Sequence, residues 1–135
     1  GAMCLLESVQ QFDETSIDCM AVSHTDPANP LRHAGHLPVQ AGIEYAAQAV
    51  AVHGGLMSRR SGVSSIPRGG MIAVLTSVNW MTDRLDNIET ALNIHAEKIA
   101  EMPDGLCYRF AVVAAEKTLI DGELIVALQS SGVAE

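Results

Sequence analysis

Four polar side chains that could form a site for acid–base chemistry lie within residues 29–56. His33 and His36 occur in a polar loop with two prolines, and Glu44 and Gln48 occur in the Ala- and Val-rich run that follows. A neutral imidazole can act as a general base near neutral pH. A carboxyl group in an apolar setting can act as a general acid, because burial favours its protonated form. Glu44 also has a structural explanation, because the dipole of a helix favours a carboxylate in the first turn.

The Ala- and Val-rich run predicts a buried helix from about Gly42 to Gly55. Its apolar residues occupy nearly every helical face, which is typical of a helix covered on all sides. Glu44 and Gln48 are exceptions, four residues apart on a single face. Gln48 either orients Glu44 or lines a tunnel for a ligand, or it is a buried amide with ordinary hydrogen bonds. His53 lies nine residues after Glu44 and out of phase with it, so it ranks behind the two loop histidines.

Strand-like segments flank this helix, two before it and four after it. Short turns between consecutive segments predict an antiparallel sheet, and Gly122 in the last segment predicts a bulge or a close backbone approach. A helix covered by one curved antiparallel sheet is the α+β hotdog fold. Such a sheet keeps free edges, so we expect a homodimer or higher oligomer. The segments span residues 4–11, 16–22, 71–82, 89–101, 106–116 and 118–128, and residues 58–70 predict an exposed connection.

Length and composition narrow the classes of function. The 135 residues suit one domain, 1–135. The net charge is −8 and no basic block occurs, which disfavours nucleic acid and anionic membranes as partners. No apolar run is long enough for a membrane span and no signal segment is visible, so we expect a cytoplasmic protein. The wide spacing of Cys4, Cys19 and Cys107 predicts core thiols, and the histidine spacing predicts no metal site.

The helix start resembles that of the beta-hydroxyacyl-acyl-carrier-protein dehydratases. Their motif is a His, four residues and a Pro, followed by a helix beginning Glu-Ala-x-Ala-Gln. His33 and Pro38 have this spacing, and the helix reads Glu-Tyr-Ala-Ala-Gln from Glu44, with Tyr45 in place of Ala. Residues 3–9 resemble the first strand of that family. The resemblance is closest to the ApeP-like branch, which is associated with aryl polyene pigment synthesis in Gram-negative bacteria.

This resemblance implies a reaction and a set of roles. The reaction is dehydration of 3-hydroxyacyl thioesters on an acyl carrier protein to trans-2-enoyl thioesters, in synthesis of the fatty acid or aryl polyene type. A histidine would be the base and Glu44 the acid, contributed by opposite subunits. Backbone N–H groups of Gly42 and Ile43 would stabilise the thioester oxygen. Pro38 and Gln48 complete the predicted substrate-binding set. No cofactor is expected, because 4′-phosphopantetheine enters as part of the substrate.

The chain also departs from the dehydratase pattern. Ala34-Gly35-His36 replaces the family's Phe-Pro-Gly, and the stretch from Pro38 to Glu44 is three residues shorter. The sequence therefore ranks His33 and His36 nearly equally as the base. Two alternatives stay open: a thioesterase of the same fold, and a non-catalytic subunit that completes a hetero-oligomer with a related dehydratase subunit.

Two further expectations concern the N-terminus and the connection after the helix. Family members often carry Pro-His before the first-strand Met, so a short native N-terminal segment is expected to precede Met3. Basic residues flank the connection after the helix. They are either solvated or contact phosphopantetheine or an acidic carrier protein. They are Arg59, Arg60 and Arg68.

Overall fold

The structure, a computed structural model, describes residues 5–61 and 71–128. One helix packs against a six-stranded antiparallel sheet whose strand order is β1-β2-β4-β5-β6-β3. The elements in chain order are β1 (Ser8–Phe12), β2 (Ser16–Ala21), a 3-10 turn (Ser23–Thr25), α1 (Ala41–Ser61), β3 (Met71–Trp80), β4 (Leu92–Met102), β5 (Gly105–Ala114) and β6 (Lys117–Leu128).

Alternating burial in the strands defines the sheet face that meets the helix. Ile17, Cys19 and Ala21 of β2 are buried, and they pair with β4, where Ile94 and Ala96 are buried in the same way. This period of two places one apolar row per strand against α1. The predicted strands are therefore confirmed in number, order and direction. β1 begins later and β4 a few residues later than predicted.

The helix differs from its prediction in length and in burial. It continues through Gly54 and Gly55 to Ser61, past the glycine pair that was expected to end it. Glycine lowers helix propensity by only about 1 kcal/mol per residue, which tertiary packing can override. The composition of α1 had predicted a helix covered on all sides. Glu44 and Ala51 are exposed, so the helix is not covered in this way. One helix face is open in the isolated chain.

Gly122 confirms the close backbone approach that was predicted for β6. It pairs with Val78 of β3 and Phe110 of β5. A Cβ atom at Gly122 would lie 2.3 Å from the carbonyl oxygen of Ser77, which no larger residue can tolerate without a backbone shift. The register of β3 against β6 changes beside this contact, between Leu75 and Ser77.

No helix within residues 5–61 and 71–128, α1 included, is both long enough and apolar enough to cross a membrane.

Candidate active site

His33 and His36 lie opposite each other in a tight hairpin between the 3-10 turn and α1. The His33 amide donates to the His36 carbonyl at 2.7 Å, and the His36 amide donates to the His33 carbonyl at 3.0 Å. Ala34 and Gly35 at the tip have positive φ angles of 53° and 81°, as a two-residue primed turn requires. Directly opposed residues point to the same side, so the hairpin brings the two exposed imidazoles together.

The loop between β3 and β4 holds this hairpin in place through Asp86. Its Oδ1 accepts hydrogen bonds from the Leu37 amide at 2.8 Å and from Arg84 Nε at 3.0 Å. The Leu37 carbonyl accepts from the Leu85 amide at 2.8 Å, and Pro38 pairs with Arg84 in an isolated bridge. The bond from Arg84, helped by the Leu37 amide and opposed by burial, lowers the pKa of the Asp86 carboxyl well below its usual range. Asp86 is therefore an anion.

The two loop histidines differ in their side-chain surroundings. His36 Nδ1 lies 3.9 Å from Asp86 Oδ2, and the exposed fractions of the two side chains are 55% and 6%. Among the described residues, no hydrogen bond or ion pair is made by the His33 side chain. The sequence had ranked these histidines nearly equally, and the structure shows that only one of them faces a carboxylate.

The backbone at the start of α1 is fully engaged in a tight turn. The Gly42 amide donates to the Val39 carbonyl at 2.8 Å, and the Ile43 amide donates to the Gln40 carbonyl at 3.0 Å. These two N–H groups therefore already have acceptors, and the geometry does not support the oxyanion role expected for them. Gly42 instead allows close packing, because a Cβ atom there would lie 2.7 Å from Ile120 Cγ2.

Glu44 and Gln48 occupy different surroundings on α1. Glu44 lies in the first turn and is exposed. Gln48 is half-buried, and its Oε1 accepts a hydrogen bond from the Leu5 amide at 2.9 Å, which fits the explanation as a hydrogen-bonded amide. Within the described chain, no hydrogen bond or ion pair joins Glu44 to His33 or His36. The candidate acid and bases are thus presented separately on one protomer.

A polar cluster around Tyr45 anchors the loop to the helix and was missed in the sequence. The buried Tyr45 hydroxyl lies 2.8 Å from Ser23 Oγ and accepts a hydrogen bond from Asn29 Nδ2 at 3.2 Å. Ser23 Oγ donates to the Leu5 carbonyl at 2.8 Å. Burial raises the pKa of Tyr45, although the hydrogen bonds with Ser23 and Asn29 oppose this. The available signal was the Tyr itself, because a buried phenol requires a partner.

Comparison with known proteins identifies the family. The sequence matches the ApeP-like family, described as ApeP dehydratase, over residues 1–132. The chain belongs to the ApeP-like dehydratase family. A comparison with curated proteins finds no match.

Solved structures similar to this ApeP-like chain share its fold. The dehydratase heterocomplex ApeI:P from Xenorhabdus doucetiae has a TM-score of 0.77 and 19% identity, covering 94% of this chain and 84% of that chain. A thioesterase mutant from Staphylococcus aureus subsp. aureus Mu50 has a TM-score of 0.57 and 15% identity, covering 89% and 90%. A thioesterase from Haemophilus influenzae has a TM-score of 0.56 and 14% identity, covering 88% and 75%. These similarities confirm the hotdog fold.

The other three histidines of the ApeP-like chain lie outside the hairpin and differ from its histidines in their contacts. His53 is fully buried. Its Nε2 donates to the Asp13 carbonyl at 2.8 Å, and its Nδ1 accepts from the Tyr108 hydroxyl at 2.6 Å. His24 Nε2 donates to two loop carbonyls, and burial lowers its pKa. His95 lies 2.7 Å from Asp18 on the solvent side of the sheet. None of the three lies in the hairpin or in the first turn of α1.

Metal-ligating and thiol chemistry find no support in residues 5–61 and 71–128. No group of three His, Cys, Asp or Glu side chains there could hold a metal ion. Burial, with a smaller contribution from Asp18, raises the pKa of Cys19 to about 11, so this thiol is inert near neutral pH. Several residues considered in the sequence lie outside the part whose side chains the structure describes: Cys4, Arg59, Arg60 and Arg68.

Proposed function

We propose that this chain removes water from 3-hydroxyacyl groups carried as thioesters on an acyl carrier protein, giving trans-2-enoyl thioesters. The observation that supports this best is the exposed Glu44 carboxylate in the first turn of α1. Residues 37–43 separate Glu44 from the hairpin, which presents two exposed imidazoles. Membership of the ApeP-like dehydratase family is the reason for choosing dehydration among the reactions that such groups could catalyse.

The reaction requires one proton to be removed and one to be supplied. A neutral imidazole, of His36 or His33, takes a proton from the carbon next to the thioester carbonyl. Glu44, in the carboxylic acid form that burial by a second subunit would favour, gives its proton to the hydroxyl on the next carbon, and the hydroxyl leaves as water. The electron pair of the broken C–H bond forms the new C–C double bond. Positioned groups of this kind each accelerate proton transfer by about 10²- to 10⁴-fold.

A second hotdog subunit completes the site in this proposal. The exposed face of α1, with Glu44 and Ala51, leaves room for another chain. β3 lies at one edge of the described sheet and exposes Val74 and Leu75, and such an edge favours pairing with a further strand. The similar structure from Xenorhabdus doucetiae is a heterocomplex. The partner is therefore either a second copy or a related dehydratase subunit, and it brings an imidazole of one chain to the acid of the other.

The substrate in this proposal carries its own prosthetic group. The acyl chain arrives on the 4′-phosphopantetheine of the carrier protein in the cytoplasm, during fatty acid or aryl polyene type synthesis. Pro38, next to the hairpin, contributes to the wall against which the acyl chain lies. Gln48, whose oxygen accepts a hydrogen bond from the Leu5 amide, lines the acyl tunnel one turn further along α1.

The experiment follows two products of one 3-hydroxyacyl thioester at the same time. Enoyl absorbance reports dehydration and free thiol reports hydrolysis, first for the chain alone and then for the chain together with the second hotdog subunit of its host. Glu44→Gln should reduce enoyl formation at least about 10²-fold. One of His33→Ala and His36→Ala should do the same. Glu14→Gln, an exposed carboxylate in the turn between β1 and β2, is the matched control and should not.

The two alternatives give different results in this assay. The thioesterase similarity of the fold favours hydrolysis as the second candidate, which would release thiol without enoyl. A non-catalytic subunit would be silent alone. In the complex it would restore activity equally well with or without the Glu44 and histidine substitutions. Either result would contradict the proposal that Glu44 and a loop histidine catalyse dehydration.

A further inference from the structure

Asp86 has no part in the proton transfers just proposed, yet it links the hairpin to the loop between β3 and β4. We infer that Asp86 is a positioning residue, which orients the His36 imidazole and makes His36 the working base. This inference rests on the proposed function and deepens it, because it distinguishes between two histidines that the sequence ranked nearly equally.

The Asp86 carboxylate is held rigidly before any substrate arrives. Its side chain is 6% exposed. Both oxygens are bonded, Oδ1 to the Leu37 amide and Arg84 Nε, and Oδ2 to Arg84 Nη2. The residue that donates, Leu37, is fully buried and follows His36 directly in the chain. The position of the carboxylate and the position of the His36 backbone are therefore fixed by the same set of contacts.

The position of Asp86 selects one nitrogen of His36 as the reactive one. Nδ1 lies 3.9 Å from Asp86 Oδ2, so the carboxylate favours a proton on Nδ1. The opposite nitrogen, Nε2, then holds the lone pair that a general base requires. After proton transfer the imidazolium faces an anion at short range. His33 has no such partner among the described residues, so neither its tautomer nor its charged form is favoured in this way.

The charges around His36 determine the sign of the pH effect. Asp86 is the anion, and Arg84 in the same loop offsets part of its field. Arg32, whose Nη1 donates to the Gly35 carbonyl at 3.2 Å, is a cation on the hairpin itself, and His33 stands opposite. Removing the Asp86 charge disfavours protonated His36, and removing the Arg84 charge favours it. The two substitutions should therefore act in opposite directions.

The first test compares Asp86→Asn with the wild type in the active assembly. Asn keeps an oxygen for the Leu37 amide and removes the charge. We expect kcat to fall about 10- to 100-fold, the range seen for groups that orient a functional histidine, with KM little changed. The acid limb of the pH–rate profile should move to lower pH. Asp83→Asn removes the same charge from an exposed position in the same loop and should change neither.

Arg84→Gln supplies the opposite result. It leaves Asp86 uncompensated, so the acid limb should move to higher pH. A loss of loop structure alone would lower activity in both variants without opposite shifts. Shifts of the same sign, or no shift in either variant, would overturn the inference.

A double-mutant cycle tests whether the effect passes through His36. Asp86→Asn should have almost no further effect in a His36→Ala background. An equal loss in both backgrounds, or full activity in His36→Ala, contradicts the inference. The His36 ring resonances, followed by NMR against pH in wild type and Asp86→Asn, test the contact without any turnover. If the protein has no enoyl-forming activity but the His36 resonances respond to Asp86→Asn, only the proposed function is overturned. If the His36 resonances do not respond to the substitution, only the inference is overturned.

Discussion

Four of the five histidines form two pairs that contrast in burial and in hydrogen bonding. His24 and His53 are buried, and the nitrogens that hold them in place bond to backbone carbonyls or to a buried phenol. His33 and His36 are exposed on a two-residue hairpin, and their rings make no hydrogen bond among the described residues. The first pair connects distant segments. The second pair keeps its donors and acceptors in contact with solvent.

This contrast shows how burial separates stability from chemistry in one residue type. A buried imidazole loses its partners only at a cost of about 1–3 kcal/mol for each unsatisfied group. An exposed imidazole exchanges its partners with water at little cost, so it can be replaced without loss of folding. Glu44 resembles the exposed pair, because its side chain, at the start of α1, is also in contact with solvent.

The largest effect is expected from His53→Ala. The substitution leaves a cavity beside α1 and removes the partners of the Tyr108 hydroxyl and the Asp13 carbonyl. We expect the free energy of unfolding to fall by about 2–5 kcal/mol, measured by urea denaturation. His33→Ala is the matched control and should change it by less than about 0.5 kcal/mol. Similar losses in both variants would remove the distinction between the pairs.

A smaller effect is expected from pH, through His24. Burial lowers the pKa of His24 in the folded chain, against a weaker opposing effect of its carbonyl partners. Below about pH 6.5 the unfolded chain binds a proton that the folded chain does not. The contribution of His24 to the free energy of unfolding should therefore be fully present above about pH 6.5. It should decrease as the pH falls, by at most about 1.4 kcal/mol per pH unit.

The variant His24→Gln isolates this contribution. Its unfolding free energy should depend less on pH between about 5 and 6.5 than that of the wild type, whereas His33→Ala should keep the wild-type dependence. If the dependence persists unchanged in His24→Gln, another group is responsible, and His24 does not differ from the exposed pair in the way described.

The sequence predicted the sheet well because strand signals are local. Alternation of Ile17, Cys19 and Ala21 identified β2 without knowledge of its partner strand. Gly122 indicated a close approach because glycine has no Cβ, and the approach was found. The end of α1 was predicted wrongly, since Gly54 and Gly55 weaken a helix locally while packing along α1 maintains it.

The surroundings of the candidate site could not be predicted in the same way. Asp86 bonds to Leu37 across 49 positions of sequence, and nothing near Asp86 in the chain indicates that contact. The same holds for Tyr45, whose partners Ser23 and Asn29 lie in another segment. The candidate residues themselves were identifiable by type and spacing. Their hydrogen bonds depend on the fold, and that is why the engaged amides of Gly42 and Ile43 were not foreseen.

A smaller change in stability than that of His53→Ala is expected from Glu44→Gln, the substitution with the largest expected effect on turnover. Glu44 is exposed, so its loss removes only the favourable interaction with the helix dipole, about 0.3–1 kcal/mol. Urea denaturation and the enoyl assay on one preparation separate the two explanations that the sequence left open. A variant that unfolds nearly as wild type but has lost turnover identifies Glu44 as the acid. A variant that is destabilised by more than about 2 kcal/mol and still forms enoyl product would show that Glu44 serves the helix, and the exposed residues would then share the structural role of the buried ones.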